Sequence, residues 1–173
     1  MRIRSLTVIA AACLFLSAFA VCQPQQQRGP STPEERQKAL AYIAHFESDP
    51  LSPDLKPEIA WVVAWMIEVP DIHSTICSLV QFPKKDKKHS QIPFDAMFLA
   101  QTRWAIVHKD DPPDLNGELL AGVEGALRAY EKVIAAFPKD RQPQLDDLLQ
   151  QREAGTLADW VKQNSGEHCK TQP

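Results

Sequence analysis

Proline sets the plan of this chain. Its 14 prolines outnumber its 6 glycines, and in the body of the sequence they stand at the edges of apolar stretches: Pro33, Pro50, Pro57, Pro70, Pro83, Pro112, Pro138 and Pro143. A residue without a backbone N–H breaks a helix interior but suits its first turn or the stretch just past its end. Hairpins of a β-sandwich or barrel need glycine at positive φ, and glycine is scarce here. The fold class that follows is all-α: a single bundle or irregular array of about six to seven helices.

Helical spacing and caps fill in the segments. Ser31 or Thr32 caps a first helix with Pro33 at its first position and Glu34 and Glu35 in its first turn; Leu40, Ile43, Ala44 and Glu47 follow, and Pro50 ends it. A second helix begins near Pro57. It runs through Ile59, Trp61, Val62, Val63, Trp65, Met66 and Ile67, apolar almost all round, and is expected to be the buried centre of the bundle. Asp71 is placed to cap a third helix through Ile72, Ile76, Leu79 and Val80 to Phe82, and the lysine-bearing stretch from Pro83 to Pro93 reads as an exposed loop. A fourth helix starts near Phe94 and ends before Pro112. The fifth, from about Leu115 to Phe137, is the longest. A sixth runs from Pro143 to Ala154 with Gly155 as its stop, and a short seventh, from Leu157 to Gln163, has Thr156 as cap and Asp159 three residues on.

The N-terminus reads as an export signal. Arg2 and Arg4 form a basic start, and Leu6 to Val21 is apolar apart from Thr7, Cys13 and Ser17. That run is short for a membrane span and has no charged flank after it. Ala18 and Ala20 suit cleavage after Ala20, and Ala20 with Cys22 suits cleavage after Cys22; acylation of Cys22 as a lipoprotein is a third route. The domains are then a signal over 1–20, a Gln- and Pro-rich disordered leader over 21–32, a helical domain over 33–164 and a tail over 165–173. Export to the periplasm or exterior is the expected compartment, with membrane attachment only if Cys22 is acylated or the signal is kept.

Processing decides the cysteines and the charge. Cys13 leaves with the signal, and once Cys22 is removed or acylated the even pair Cys77 and Cys169 remains, which an oxidising compartment favours as a disulfide. The bland alternative is a buried Cys77 and a free Cys169. The chain's net charge of −3 becomes −5 when Arg2 and Arg4 are lost, which excludes nucleic acid as a partner.

Catalytic patterns are thin. None of His45, His73, His89, His108 and His168 stands at a zinc-ligand spacing from another. His73 and Cys77, four apart, pair on a helix either as metal ligands or as a base and its thiol, against a plain histidine beside a structural cysteine. Asp110, Asp111 and Asp114 near His108 suit a calcium ion or, more simply, solvation and a helix cap. No phosphate loop or nucleophile elbow occurs, so no cofactor is expected, and no metal. Trp61 and Trp65 share a helix face and line either a groove for a peptide or sugar, or the core.

One segment resembles a known family. Ala126, Tyr130, Val133, Ile134 and Pro138 stand at offsets 0, 4, 7, 8 and 12, the spacing of the second helix of a tetratricopeptide repeat with its closing proline. Asn116 to Lys139 is thus similar to half of such a repeat, while Pro112 and Pro113 replace the signature of its first helix. The resemblance implies helical hairpins that bind a peptide or protein, with Tyr130 between them. The whole chain also resembles exported bacterial proteins ending in an Asp-Asp-Leu helix and a Gly-Thr-Leu turn, here Asp146–Leu148 and Gly155–Leu157, a likeness that brings no activity with it. The expected function is a non-enzymatic protein- or peptide-binding module of the bacterial envelope or exterior, with Trp61, Trp65 and Tyr130 as candidate binding residues. The alternatives are a small envelope hydrolase acting on a wall polymer or peptide, and a lipid-anchored accessory protein.

Overall fold

The computed structural model describes residues 28–82 and 89–169. The signal, Cys22 and the lysines of the 83–88 stretch lie outside the described residues. Six α-helices follow one another: α1 (Pro33–Ser48), α2 (Lys56–Glu68), α3 (Gln91–Val107), α4 (Leu115–Ala136), α5 (Pro143–Glu153) and α6 (Leu157–His168), with single 3-10 turns at Pro53–Leu55 and Pro138–Asp140. No strand occurs among the described residues, and no helix there is long and apolar enough to cross a membrane.

α3 and α4 form a close antiparallel pair in the middle of the molecule. The closeness comes from two glycines on α4. A Cβ on Gly125 would stand 2.4 Å from the Ala100 Cβ and 2.9 Å from the Ala96 carbonyl oxygen, and one on Gly122 would stand 2.6 Å from Gln101 Cγ. Glycine inside a helix costs roughly 1 kcal/mol against alanine, and here the contact between helices offsets it. The pair then serves as a wall between two cores. On one side α1 and α2 pack Ala39, Ile43, Phe46, Val62 and Trp65 against Leu99, Ile106 and Ala129. On the other, α5 and α6 pack Leu145, Leu148, Leu157 and Val161 against Leu119, Val123, Ala126, Leu127 and Tyr130.

Several ends match their sequence signals. Thr32 and Glu35 form a reciprocal capping box on α1, Asp114 accepts from the Gly117 N–H at the start of α4, and Gly155 takes φ +71° just past α5. Others differ. Residues 28–32, expected in a disordered leader, belong to the fold: Arg28 pairs with Glu35 and Glu68, and buried Ser31 donates both its N–H and its hydroxyl to Asp71. α3 begins at Gln91 and takes Pro93 into its first turn, where no intrahelical N–H bond is lost. Thr156 does not cap α6 with its side chain, because its hydroxyl turns back to Gln151. α6 also runs on to His168, so the expected tail begins inside a helix.

The largest correction concerns the expected third helix. Residues 71–82 hold no helix and cross the molecule as an irregular segment. Asp71, busy with Ser31, is not a cap. Glu118 of α4 accepts hydrogen bonds from the Thr75 N–H at 2.5 Å and from the Ser74 and Thr75 hydroxyls, and Gln101 of α3 donates to the Thr75 carbonyl at 3.1 Å. These bonds replace those a helix would supply. A disulfide between Cys77 and Cys169, Cα atoms 5.0 Å apart, ties the same segment to the end of α6. α2 corrects another expectation. It is an outer helix, burying Val62 and Trp65 while Val63 and Ile67 face outward, Ile67 at 80% exposure. A single buried stripe is all that contact with α1 and α3 requires.

Two outcomes check this account. Gly125→Ala lowers stability by about 1–3 kcal/mol through overpacking in thermal melts, and Ala100→Gly in the same chain recovers part of the loss; an unchanged melt contradicts the close approach. Cys77 and Cys169 resist alkylation in the native protein until reduced, and Cys77→Ser costs about 2–4 kcal/mol; two freely alkylated native thiols contradict the disulfide.

Candidate functional site

The last turn of α3 and the first turn of α4 meet beneath one tryptophan. Trp104 stacks on the His108 ring, centroids 3.9 Å apart and 27° from parallel. The far edge of its indole lies over Gly117: a Cβ there would stand 2.5 Å from Cζ2 and 2.7 Å from Cη2. Gly117 is thereby a seat for the ring as well as the residue whose N–H the Asp114 carboxylate receives at 2.9 Å. His108 Nδ1 lies 2.7 Å from Asp111 Oδ2, a contact that needs the proton on Nδ1 and fixes the ring against the tryptophan. The loop between the helices, with its adjacent prolines Pro112 and Pro113, is what brings Asp111 and Asp114 back to this point.

Two open hollows share Trp104 and His108. The first, of about 610 Å³, is bounded by Asp71, His73 and Thr75 of the irregular segment, by Asp111 and Pro113 of the loop, and by Glu118. The second, of about 440 Å³, lies between α3 and α4 over Ala100, Val107, Leu120 and Ala121, with Arg103 and Arg128 at its rim. Those two arginines are matched by Glu47 and Glu124. The first hollow is different in charge. Asp71, Asp111, Asp114 and Glu118 stand around it with Lys109, which is itself paired with Asp110. Asp71 is held below the usual carboxylate range: partial burial works the other way, but the Ser31 N–H and hydroxyl, joined by the charge of Arg36, outweigh it.

The chain matches no protein-family model, no curated protein and no solved structure. The carboxylates of the first hollow each already serve the fold, as tie to Ser31 (Asp71), ring partner (Asp111), helix cap (Asp114) and clamp on Thr75 (Glu118). Cys77 is bound to Cys169, so His73, which stands at the hollow's edge, has no thiol to activate. No group of three or more His, Cys, Asp or Glu side chains among the described residues is arranged to hold a metal ion, and the Asp110–Asp114 stretch is accounted for by the cap and the two pairs just named. Asp95 is the carboxyl that burial pushes upward, with Gln91 as its hydrogen-bond partner, but it borders neither hollow.

The residues expected to bind are placed elsewhere. Trp65 is 3% exposed and Tyr130 fully buried; a two-sided core gives large aromatics more contact than an open groove does. Trp61 is half-buried, stacked on Trp65, edged by Tyr42 and covered by the Lys38 ammonium 4.2 Å from its ring. These three therefore form no shared groove. The sign of the Trp104 site in the sequence was glycine: Gly117, Gly122 and Gly125 within one long helix, each a residue a solitary helix avoids.

Tyr130 instead joins α4 to α5. Its hydroxyl accepts from the Gln142 N–H at 2.6 Å and donates to Asp146 Oδ1 at 2.9 Å, and Arg141 holds Asp146 from the other side. Burial, together with the adjacent Asp146 carboxylate, pushes this hydroxyl up from 10.0 to about 12. The unfolded chain ionises first, so the stabilisation is complete below pH 10 and is lost as the pH rises toward 12. Tyr130→Phe removes the absorbance step with a midpoint near 12 and costs about 1–3 kcal/mol by orphaning Gln142 N–H; a step that persists in the variant contradicts the assignment.

Proposed function

We propose that this chain is an exported helical module that binds a peptide or protein segment in the cleft around Trp104, and that it is not an enzyme. The observation that carries the reading is Trp104 itself: an aromatic ring seated on Gly117 and His108, bordering two adjoining hollows, neither of which it fills. An amphipathic ring held rigid at the edge of an open groove costs little entropy when a partner lands on it. Export is supported by the basic and apolar N-terminal stretch and by the disulfide, a bond that persists in oxidising compartments. The likeness of Asn116–Lys139 to half a tetratricopeptide repeat, a scaffold for peptides, points the same way. The hydrolase alternative would draw on the carboxylates of the first hollow, and each of those is engaged in holding the fold.

The mature protein as bait in envelope extracts tests the reading. Val107 is 62% exposed on the apolar hollow, so Val107→Glu spoils that hollow without entering a core. The expected outcome is a partner retained by the wild-type protein and lost by Val107→Glu at an unchanged melting temperature. Equal retention by both, or retention of nothing, overturns the cleft as the binding site.

A further inference from the structure

We infer that the segment this cleft accepts is an apolar–cationic peptide: an aliphatic or aromatic side chain in the hollow between α3 and α4, next to a lysine or arginine side chain in the hollow at Asp111 and Glu118. The inference rests on the binding reading above and adds the ligand's chemistry to it. The two hollows meet at the stacked pair Trp104 and His108 and differ in character on either side of it. The side over Ala100, Leu120 and Ala121 is floored by aliphatic carbon, and its rim charges cancel, Arg103 and Arg128 against Glu47 and Glu124. An apolar side chain enters there without stranding a charge.

The other side is short of positive charge. Asp71, Asp111, Asp114 and Glu118 receive their hydrogen bonds from Ser31, His108, Gly117, Ser74 and Thr75, and among the described residues no lysine or arginine forms an ion pair with any of the four. Of the residues that line this hollow, four are carboxylates and one is a lysine, Lys109, which is spent on Asp110, while Arg36, bonded to Ser31, adds its charge near Asp71 alone. Hydrogen bonds from neutral donors orient a carboxylate but leave its charge in place, and a cleft of one sign concentrates ligands of the other. An acidic or phosphorylated segment would meet repulsion at the same spot. A neutral glycan would stack on Trp104 and leave the negative charge uncompensated.

Backbone and indole NH spectra of the mature protein, titrated in turn with acetyl-Leu-Arg-amide, acetyl-Leu-Glu-amide and tri-N-acetylchitotriose, decide the matter. The expected result is a shift of the Trp104 indole and Gly117 amide resonances by the Leu-Arg compound, severalfold tighter than by Leu-Glu at low salt. The gap should narrow as salt is raised, and it should shrink in Asp111→Asn, whose amide oxygen can still accept from His108 Nδ1–H and keep that ring on Trp104. Equal or tighter binding of Leu-Glu overturns the cationic assignment and leaves the cleft as a binding site. Shifts by the sugar alone overturn the peptide class. Failure of all three probes to move either resonance overturns the inference and counts against the binding reading with it.

Discussion

Everything in this molecule hangs on the contact between α3 and α4. Because Gly122 and Gly125 carry no side chain, the two helices meet at a distance that a single methyl group would not fit. Helices packed this closely present one face of the pair to α1 and α2 and the opposite face to α5 and α6. Neighbouring residues are accordingly divided between cores: on α3, Ala96 goes to one side and Met97 to the other, and on α4, Ala129 and Ala126 do the same. Small residues in mid-helix are a local loss that close packing across two surfaces outweighs.

The same contact sets the functional end. With the axes close, the C-terminal turn of α3 delivers Trp104 onto the first turn of α4, and a third glycine, Gly117, receives it. The cleft needs one more wall, which comes from far away in the chain. Residues 71–75 are held across α3 and α4 by Gln101 and by Glu118, while the Cys77–Cys169 bridge fixes the segment just beyond them. Charge at the cleft thus has a structural origin. Carboxylates recruited to cap α4, to orient His108 and to clamp the irregular segment leave their negative sign around one hollow.

Local chemistry made much of the fold legible from the sequence. Thr32 with Glu35, Asp114 before α4, and Gly155 after α5 act within a few residues of themselves, so their signals are complete in a short window. The 71–82 segment departs from its sequence pattern for the opposite reason. Ile72, Ile76, Leu79 and Val80 have helical spacing, but the groups that hold the segment extended, Gln101 and Glu118, lie on other helices, and Glu118 is more than forty residues on. α2 lies further out than its sequence suggests because an apolar composition does not say how many neighbours a helix will have. At the site, sequence spacing drew attention to Trp61, Trp65 and Tyr130, which the two cores bury in whole or in part. Trp104 owes its place to a glycine on another helix, a pairing that no spacing rule within one segment contains.

A glycine-mediated crossing of α3 and α4 seats Trp104 at the head of an open cleft. Proton–proton Overhauser contacts in the folded, oxidised protein test this geometry. The expected result is cross-peaks from the Trp104 ring protons to the Gly117 α protons, together with cross-peaks from the Ala100 methyl to the Gly125 α protons. A well-folded helical protein that shows neither set would contradict both the crossing and the site built on it.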